Sequence, residues 1–315
     1  MVSVSDFEGR DILSLYDMTR EEIEFILDTA KKFEPVLESR RKHNLLQDKV
    51  LATLFFQPST RTRLSHESAM HRLGGSVLGW TTEEVARAGG RTRESILDTA
   101  KMVENYADVI AIRHYEFGAP KLTAEYADVP VINCGEGGLG EHPTQGLLDL
   151  FTIRKWQGKM DGLTVLMAGT VQSRGNRSLM YGLSHFDDMD LVFFCPDDPS
   201  VRLQDIDKER LKKHDQPFRF VNSYDEIIKD ADVIYLHWYA PENLKVEEKY
   251  VMNKTILDKG KKNLILMNMM PRNVPPNMEI PTDLDNTNQF KLFDEARNGV
   301  LVRMAVLSLL LGREL

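Results

Sequence analysis

Cysteine is scarce in this chain: two thiols among 315 residues, Cys134 and Cys195, each at the end of an apolar strand-like run. That scarcity argues against a disulfide framework and a thiolate metal site, and both read as buried free thiols of a reducing cytoplasm. Long apolar runs are missing too, none approaching the roughly 18 residues that a membrane span needs. The opening MVSVSDFEGRD has neither the basic nor the apolar segment of a secretory signal, so a cytoplasmic protein without membrane contact is expected. A basic excess is also absent. With a net charge of −8 the chain lacks the footprint that neutralises nucleic-acid phosphates, and no nucleic-acid partner is expected. A small anion held in a local basic pocket remains open to an acidic chain. No internal repeat, low-complexity tract or flexible linker stands out.

What is present is a 42% hydrophobic content, ample for packed cores, in a length that suits two domains of about 150 residues. Short β-branched or apolar runs alternate with amphipathic helical segments. VLATLFF (50–56), SVLGW (76–80), VIAIR (109–113) and VPVIN (129–133) predict strands, with helices around 60–73, 93–106 and 119–127. The pattern restarts with LTVLMAG (163–169), DLVFFC (190–195), FRFV (218–221), VIYLHW (233–238) and LILMNM (264–269). Two successive α/β units are expected, each doubly wound, with a mainly parallel sheet flanked by helices. MTREEIEFILDTAKKF predicts a helix with an acidic first turn. NGVLVRMAVLSLLLG predicts a final helix closed by Gly312, whose apolar surface must pack on another element.

One stretch concentrates chemistry. QPSTRTRLSHESAMHRLGG, at 57–75, follows the carboxyl end of a predicted strand and leads into a helix, which is where open α/β sheets bind ligands. The N–H groups of a first helical turn favour an anion, and hydroxyls of Ser59, Thr60 and Thr62 add donors. Arg61 can fork onto two phosphate oxygens. The plain alternative is a Ser59 or Thr60 that merely caps the helix beside solvated arginines. A second constellation strengthens the anion reading. IRH, at 112–114, ends a strand with Arg113 and His114, and EHPTQ, at 141–145, opens a helix with His142, Pro143 and Gln145. Three strand ends of one sheet then present groups able to bind phosphate or polarise a carbonyl. GEGGLG, at 135–140, formally fits G-x-G-x-x-G, but no acidic residue follows the next strand to hold a ribose, since Asp161 precedes LTVLMAG.

The set STRTR, IRH and HPTQ resembles the aspartate/ornithine carbamoyltransferase family, and the surrounding text is most similar to its aspartate-using members. The resemblance runs nearly end to end, through FFQPSTRTRLSHESAMHRLGGSV, ESILDT, VPVIN, HPTQGLLDLFTI and RNGVLVRMAVLSLLLG. It implies a carbamoyl-phosphate-binding domain over 1–140, with the helix at 296–315 packing back on it, and an acceptor-binding domain over 141–295. It also implies that Ser59, Thr60, Arg61 and Thr62 cradle the phosphate. Arg113, His142 and Gln145 hold the carbamoyl group, joined by the carbonyl of Met270, which precedes Pro271 in a cis peptide bond. Arg61, Thr62, Arg113 and His142 are the catalytic candidates. No metal and no organic cofactor are implied, and the expected assembly is a homotrimer with shared sites.

The acceptor half departs from the family pattern. Arg174 in AGTVQSRGNRS matches an acceptor-binding arginine, but the T-R-x-Q that grips aspartate carboxylates is replaced by LHWYAPENL, with Trp238 in place of the arginine. HPLPR reads MNMMPR, so that Pro271 and Arg272 alone match its end. Gln57 stands where relatives carry a domain-tying glutamate, and Thr92 where a lysine enters the neighbouring subunit's site, leaving Arg91 or Arg93 to supply that charge. Two readings follow: transfer of a carbamoyl group to an amine that is not ordinary L-aspartate, or a catalytically weak carbamoyl-phosphate-binding homologue serving as a regulatory or structural partner.

Overall fold

The computed structural model describes residues 2–82, 94–238, 246–274 and 278–315. Its β-α alternation folds into two units, Met1–Phe151 with Arg297–Leu315, and Thr152–Ala296. The final helix thus belongs with the first unit.

The first unit opens with α1 (Arg20–Lys32) and the short α2 (Glu34–Ser39). Thr19 starts α1 with a capping box: its hydroxyl accepts from Glu22 N, and the Glu22 carboxylate accepts from Thr19 N. The sheet holds β1 (Val50–Phe55), β2 (Ser76–Trp80), β3 (Val109–Arg113) and β4 (Val131–Asn133), in the order β2-β1-β3-β4. Every pairing is parallel. Leu51 to Phe55 are all buried, as a central strand covered on both faces requires, which explains the unbroken apolar run. Helices α3 (Thr60–Arg72), α4 (Ile96–Val103), α5 (Ala119–Tyr126) and α6 (Pro143–Gln157) follow the strands. The division between units falls inside α6, where the sequence placed a boundary at 140. The opening of α6 stays with the first unit because His142, Thr144 and Gln145 sit among its groups.

The second unit holds β5 (Thr164–Gly169), β6 (Asp190–Phe194), β7 (Phe218–Phe220), β8 (Val233–His237) and β9 (Ile265–Met267), ordered β7-β6-β5-β8-β9 and parallel throughout. Helices α7 (Arg174–Leu183), α8 (Asp205–Lys213) and α9 (Lys254–Leu257) connect them. Leu166, Val192, Phe194, Ile234, Leu236 and Leu266 form its core with Tyr250. Inside this unit the Arg177 guanidinium donates twice to Asp207, at 2.6 and 3.2 Å, and the Tyr181 hydroxyl donates to the same carboxylate at 2.6 Å. Helix α10 (Leu292–Leu310) ends at Gly312, whose φ of 65° is left-handed. Cys134 is buried; Cys195 is half-buried, against the expectation of full burial, and both are free thiols. Burial pushes them up to about 12 and about 11, so they are protonated and unreactive near neutrality. Among the described residues no helix is long and apolar enough to cross a membrane.

Candidate functional site

Strand register in the first unit brings the predicted anion-binding groups to one edge. Phe55 is paired with Arg113, and Ile112 with Asn133, so the loops leaving β1, β3 and β4 start level with one another. Ser59 precedes α3 in extended conformation, and its side chain makes no capping hydrogen bond. The Ser59 hydroxyl is thus not spent on capping its own helix. Thr60, Arg61 and Thr62 form the first turn of α3, Arg61 exposed and Thr62 buried. Arg63 lies 3.5 Å from Glu67, one turn along the helix, which separates its role from that of Arg61.

Arg113 is half-buried at the end of β3, its Nη1 donating to Cys134 O at 3.4 Å. Its neighbour His114 is held away from such work. The His114 ring packs 4.5 Å from Phe56 and 4.4 Å from Tyr115, and its Nδ1 accepts from Glu116 N at 3.0 Å. His142 is buried immediately before α6, its Nε2 3.0 Å from Thr62 Oγ1. The Gln145 amide donates to Asp149 at 2.9 Å. Thus Thr62 and His142, 80 positions apart in sequence, touch.

The loop that delivers His142 is the glycine run of the dinucleotide-like motif. A Cβ on Gly137 would lie 1.8 Å from Tyr115 O, so only glycine lets this loop pass. Two buried carboxylates brace it. Glu136 accepts from Gly118 N at 2.6 Å and from Asn133 Nδ2 at 3.1 Å; Glu141 accepts from Ser14 Oγ at 2.5 Å and from Leu15 N at 3.0 Å. The motif serves loop geometry.

In the second unit the acceptor candidates follow β5, β8 and β9, whose carboxyl ends adjoin. Arg174 is half-buried at the first position of α7. The Trp238 indole is only 4% exposed and packs 5.4 Å from Tyr250 within the apolar cluster, so here it is a core side chain. Arg272 donates to both oxygens of Asp285, at 2.6 and 3.2 Å, and its guanidinium lies 5.4 Å from the Phe290 ring. The Met270–Pro271 bond is cis, as the resemblance implies. Arg91, Thr92 and Arg93 lie outside the described residues, as do Tyr239 and Ala240.

A buried network missed in the sequence organises the loops after β8 and β9. Asn268 Nδ2 donates to Leu236 O at 2.6 Å and to Glu279 at 3.1 Å, while Glu279 also accepts from Asn273 N at 3.0 Å. The Met270 N–H donates to Asn268 Oδ1 at 2.5 Å, and Asn273 Nδ2 to Trp238 O at 3.1 Å. Burial raises Glu279 above the ordinary carboxylate range. Also missed were His66 and Arg303, buried at 0% and 2% exposure. A signal for Arg303 existed: it is the lone charge in VLVRMAVLSLLL.

Residues 10–155 match the family model described as aspartate/ornithine carbamoyltransferase, carbamoyl-P binding domain, and residues 161–310 match its Asp/Orn binding domain. The chain belongs to the aspartate/ornithine carbamoyltransferase family and is a carbamoyltransferase. Within it, the chain is 40% identical over 316 residues to the aspartate carbamoyltransferase catalytic subunit of Methanobrevibacter smithii, covering 97% of this chain and 96% of that one. The catalytic subunit of M. jannaschii aspartate transcarbamoylase superposes with a TM-score of 0.86 at 38% identity, covering 96% and 97% of the two chains. The Trypanosoma cruzi aspartate transcarbamoylase in complex with carbamoyl phosphate and aspartate gives 0.88 at 27% identity, covering 97% and 98%.

Proposed function

We propose that this carbamoyltransferase moves the carbamoyl group of carbamoyl phosphate to an amine less charged than L-aspartate. The relatives are named for aspartate, so the acceptor is where this reading parts from them. Ser59, Thr60, Arg61 and Thr62 hold the phosphate by N–H, hydroxyl and guanidinium donors. Arg113, His142 and Gln145 hold the carbamoyl group. Thr62, Arg113 and His142 draw electron density onto its carbonyl oxygen. The acceptor nitrogen then forms a bond to the carbamoyl carbon, and these donors stabilise the oxyanion. The bond to the phosphate oxygen breaks, and the departing phosphate takes the amine proton. The family's assembly supports a homotrimer, with Arg91 or Arg93 of a neighbouring subunit supplying the missing lysine charge.

The observation that carries the acceptor reading is the bidentate commitment of Arg272 to Asp285. Two carboxylates in a partly desolvated site need about two cationic grips, because an unpaired buried carboxylate costs several kcal/mol. Arg174 supplies one. Trp238, at the position of the second grip, is buried and carries no charge. An interaction worth roughly 3 to 4 kcal/mol is thereby lost, which lowers specificity for aspartate by about 150- to 900-fold. The test is carbamoyl transfer by purified protein to L-aspartate and to a panel of neutral and apolar amines. The expected result is a kcat/KM for aspartate lower by that factor than an ordinary aspartate carbamoyltransferase shows, with a better acceptor in the panel. An aspartate value within about tenfold overturns the acceptor assignment. No turnover with any amine favours the catalytically weak binding partner.

A further inference from the structure

Behind Thr62 and His142 the first unit buries a polar cluster that anion binding alone does not explain. Arg303 enters it from α10, and Gly299, one turn earlier, leaves the space: a Cβ there would lie 2.5 Å from Arg303 Nη1. Nη1 donates to Gly299 O at 3.1 Å and Nη2 to Thr144 Oγ1 at 3.4 Å, while Nε lies 3.1 Å from His66 Nδ1. Burial lowers Arg303 to about 10, opposed by Cys134 and by Asp149, so the guanidinium is still charged at neutral pH. His66 is neutral, held down to about 3 by burial and then by Arg303. Its Nδ1 also lies 2.8 Å from Thr62 O, and its Nε2 3.6 Å from Cys134 Sγ, so the ring wedges α3 against this cluster.

The hydrogen-bonding inventory assigns a direction to the next link. A guanidinium only donates, so the Thr144 oxygen accepts from Arg303 and the Thr144 proton is turned elsewhere. His142 Nδ1 lies 3.5 Å from Thr144 Oγ1. A neutral imidazole carries one N–H, and the partner of one ring nitrogen decides which nitrogen bears it. If Nδ1 accepts from Thr144, the proton is on Nε2, the nitrogen 3.0 Å from Thr62 Oγ1 on the anion-binding side.

We propose that Arg303, acting through the Thr144 hydroxyl, holds His142 as the Nε2–H tautomer, so that His142 presents a donor to the carbamoyl oxygen. This deepens the proposed function and rests on its placing of His142 at the carbonyl. The opposite tautomer would aim a lone pair at the developing oxyanion, removing one donor and adding repulsion. Arg303 and Thr144 are positioning residues, since neither touches the substrate.

The test reads the tautomer directly. In protein labelled with 15N-histidine, multiple-bond proton–nitrogen correlation spectra identify the protonated ring nitrogen, and a His142→Asn variant assigns the signals. The wild type is expected to show Nε2–H at His142 without any ligand. Thr144→Val, close in shape but without the hydroxyl, is expected to give mixed or Nδ1–H tautomers. Its kcat should fall by about tenfold while KM for carbamoyl phosphate moves less than about twofold, and Thr144→Ser should restore both spectrum and rate. Arg303→Gln, whose amide can accept as well as donate, should give the same mixture. Should it fail to fold, Thr144→Val still decides. An Nδ1–H tautomer in the wild type, an unchanged Nε2–H tautomer in Thr144→Val, or mixed tautomers with unchanged kcat each overturns the proposal. A wild type without turnover on any amine overturns carbamoyl transfer instead, while the ligand-free spectra still decide the tautomer.

Discussion

The two sheets use the same parallel grammar, yet the groups at their carboxyl ends are deployed differently. In the first unit the cations and hydroxyls of Ser59 to Thr62 and Arg113 stand at strand ends, while burial and bracing are left to others: Glu136, Glu141, His66 and Arg303. In the second unit several groups beyond the strand ends have themselves become braces. Arg272 is locked on Asp285, Trp238 fills the core, and Asn268 ties two loops to Glu279. A site keeps its ligand-directed chemistry when separate residues do the bracing. In the proposed reading of the acceptor half, recognition gives way where one residue does both.

The largest effect that sharpens this contrast lies in the second unit's buried ion pair. Asp207→Ala removes the carboxylate from a buried ion pair with Arg177 and should cost about 3 to 5 kcal/mol of stability in denaturant unfolding. Phosphate binding to the folded protein should be unchanged by calorimetry, because the proposed anion-binding groups belong to the first unit. Arg61→Ala reverses the pattern. It should weaken phosphate binding by about 1.5 to 3 kcal/mol, the worth of a charge-assisted contact, and leave the unfolding midpoint nearly unmoved.

Acidity separates the units next. His66 is depressed when folded, to about 3 against 6.5, so below pH 6.5 the unfolded chain binds the extra proton and stability falls as pH drops towards 3. Glu279 is raised when folded, so stability attached to it is present below about pH 4.5 and is lost as pH rises towards its folded value. His66→Gln should flatten the first slope and Glu279→Gln the second, each by at most about 1.4 kcal/mol per pH unit. Chemical denaturation across pH 3 to 8 measures both; equal slopes in wild type and variant would remove the assignment. The smallest effect is a control outside both sites. Thr19→Ala, which removes the α1 cap, should cost about 1 kcal/mol and alter neither phosphate affinity nor turnover.

The strands were legible because each is a short apolar run with helix signals around it, and the first candidate site because its polar groups cluster in STRTR, IRH and HPTQ. What escaped was set by tertiary pairing. Nothing in the local text tells Arg272 to choose Asp285, thirteen positions on, over a substrate carboxylate. Trp238 enters the acceptor set because it stands in place of the T-R-x-Q arginine, and that alignment says nothing of its packing beside Tyr250 in the apolar cluster. Arg303 and His66 are 237 positions apart, so a lone charge in an apolar helix announces that a buried partner exists without naming it.

The first unit is assembled from both ends of the chain, and this sets an order of events on the ribosome. Residues up to Phe151 emerge first, but Arg303 reaches His66, and Leu310 O accepts from Gly9 N, only after the whole second unit has been synthesised. The second unit is one uninterrupted stretch and can close as soon as it emerges, whereas the first unit waits for the last helix. A chain cut short before α10 would thus retain every residue that contacts phosphate in the proposed site, but not the buried guanidinium that orients His142.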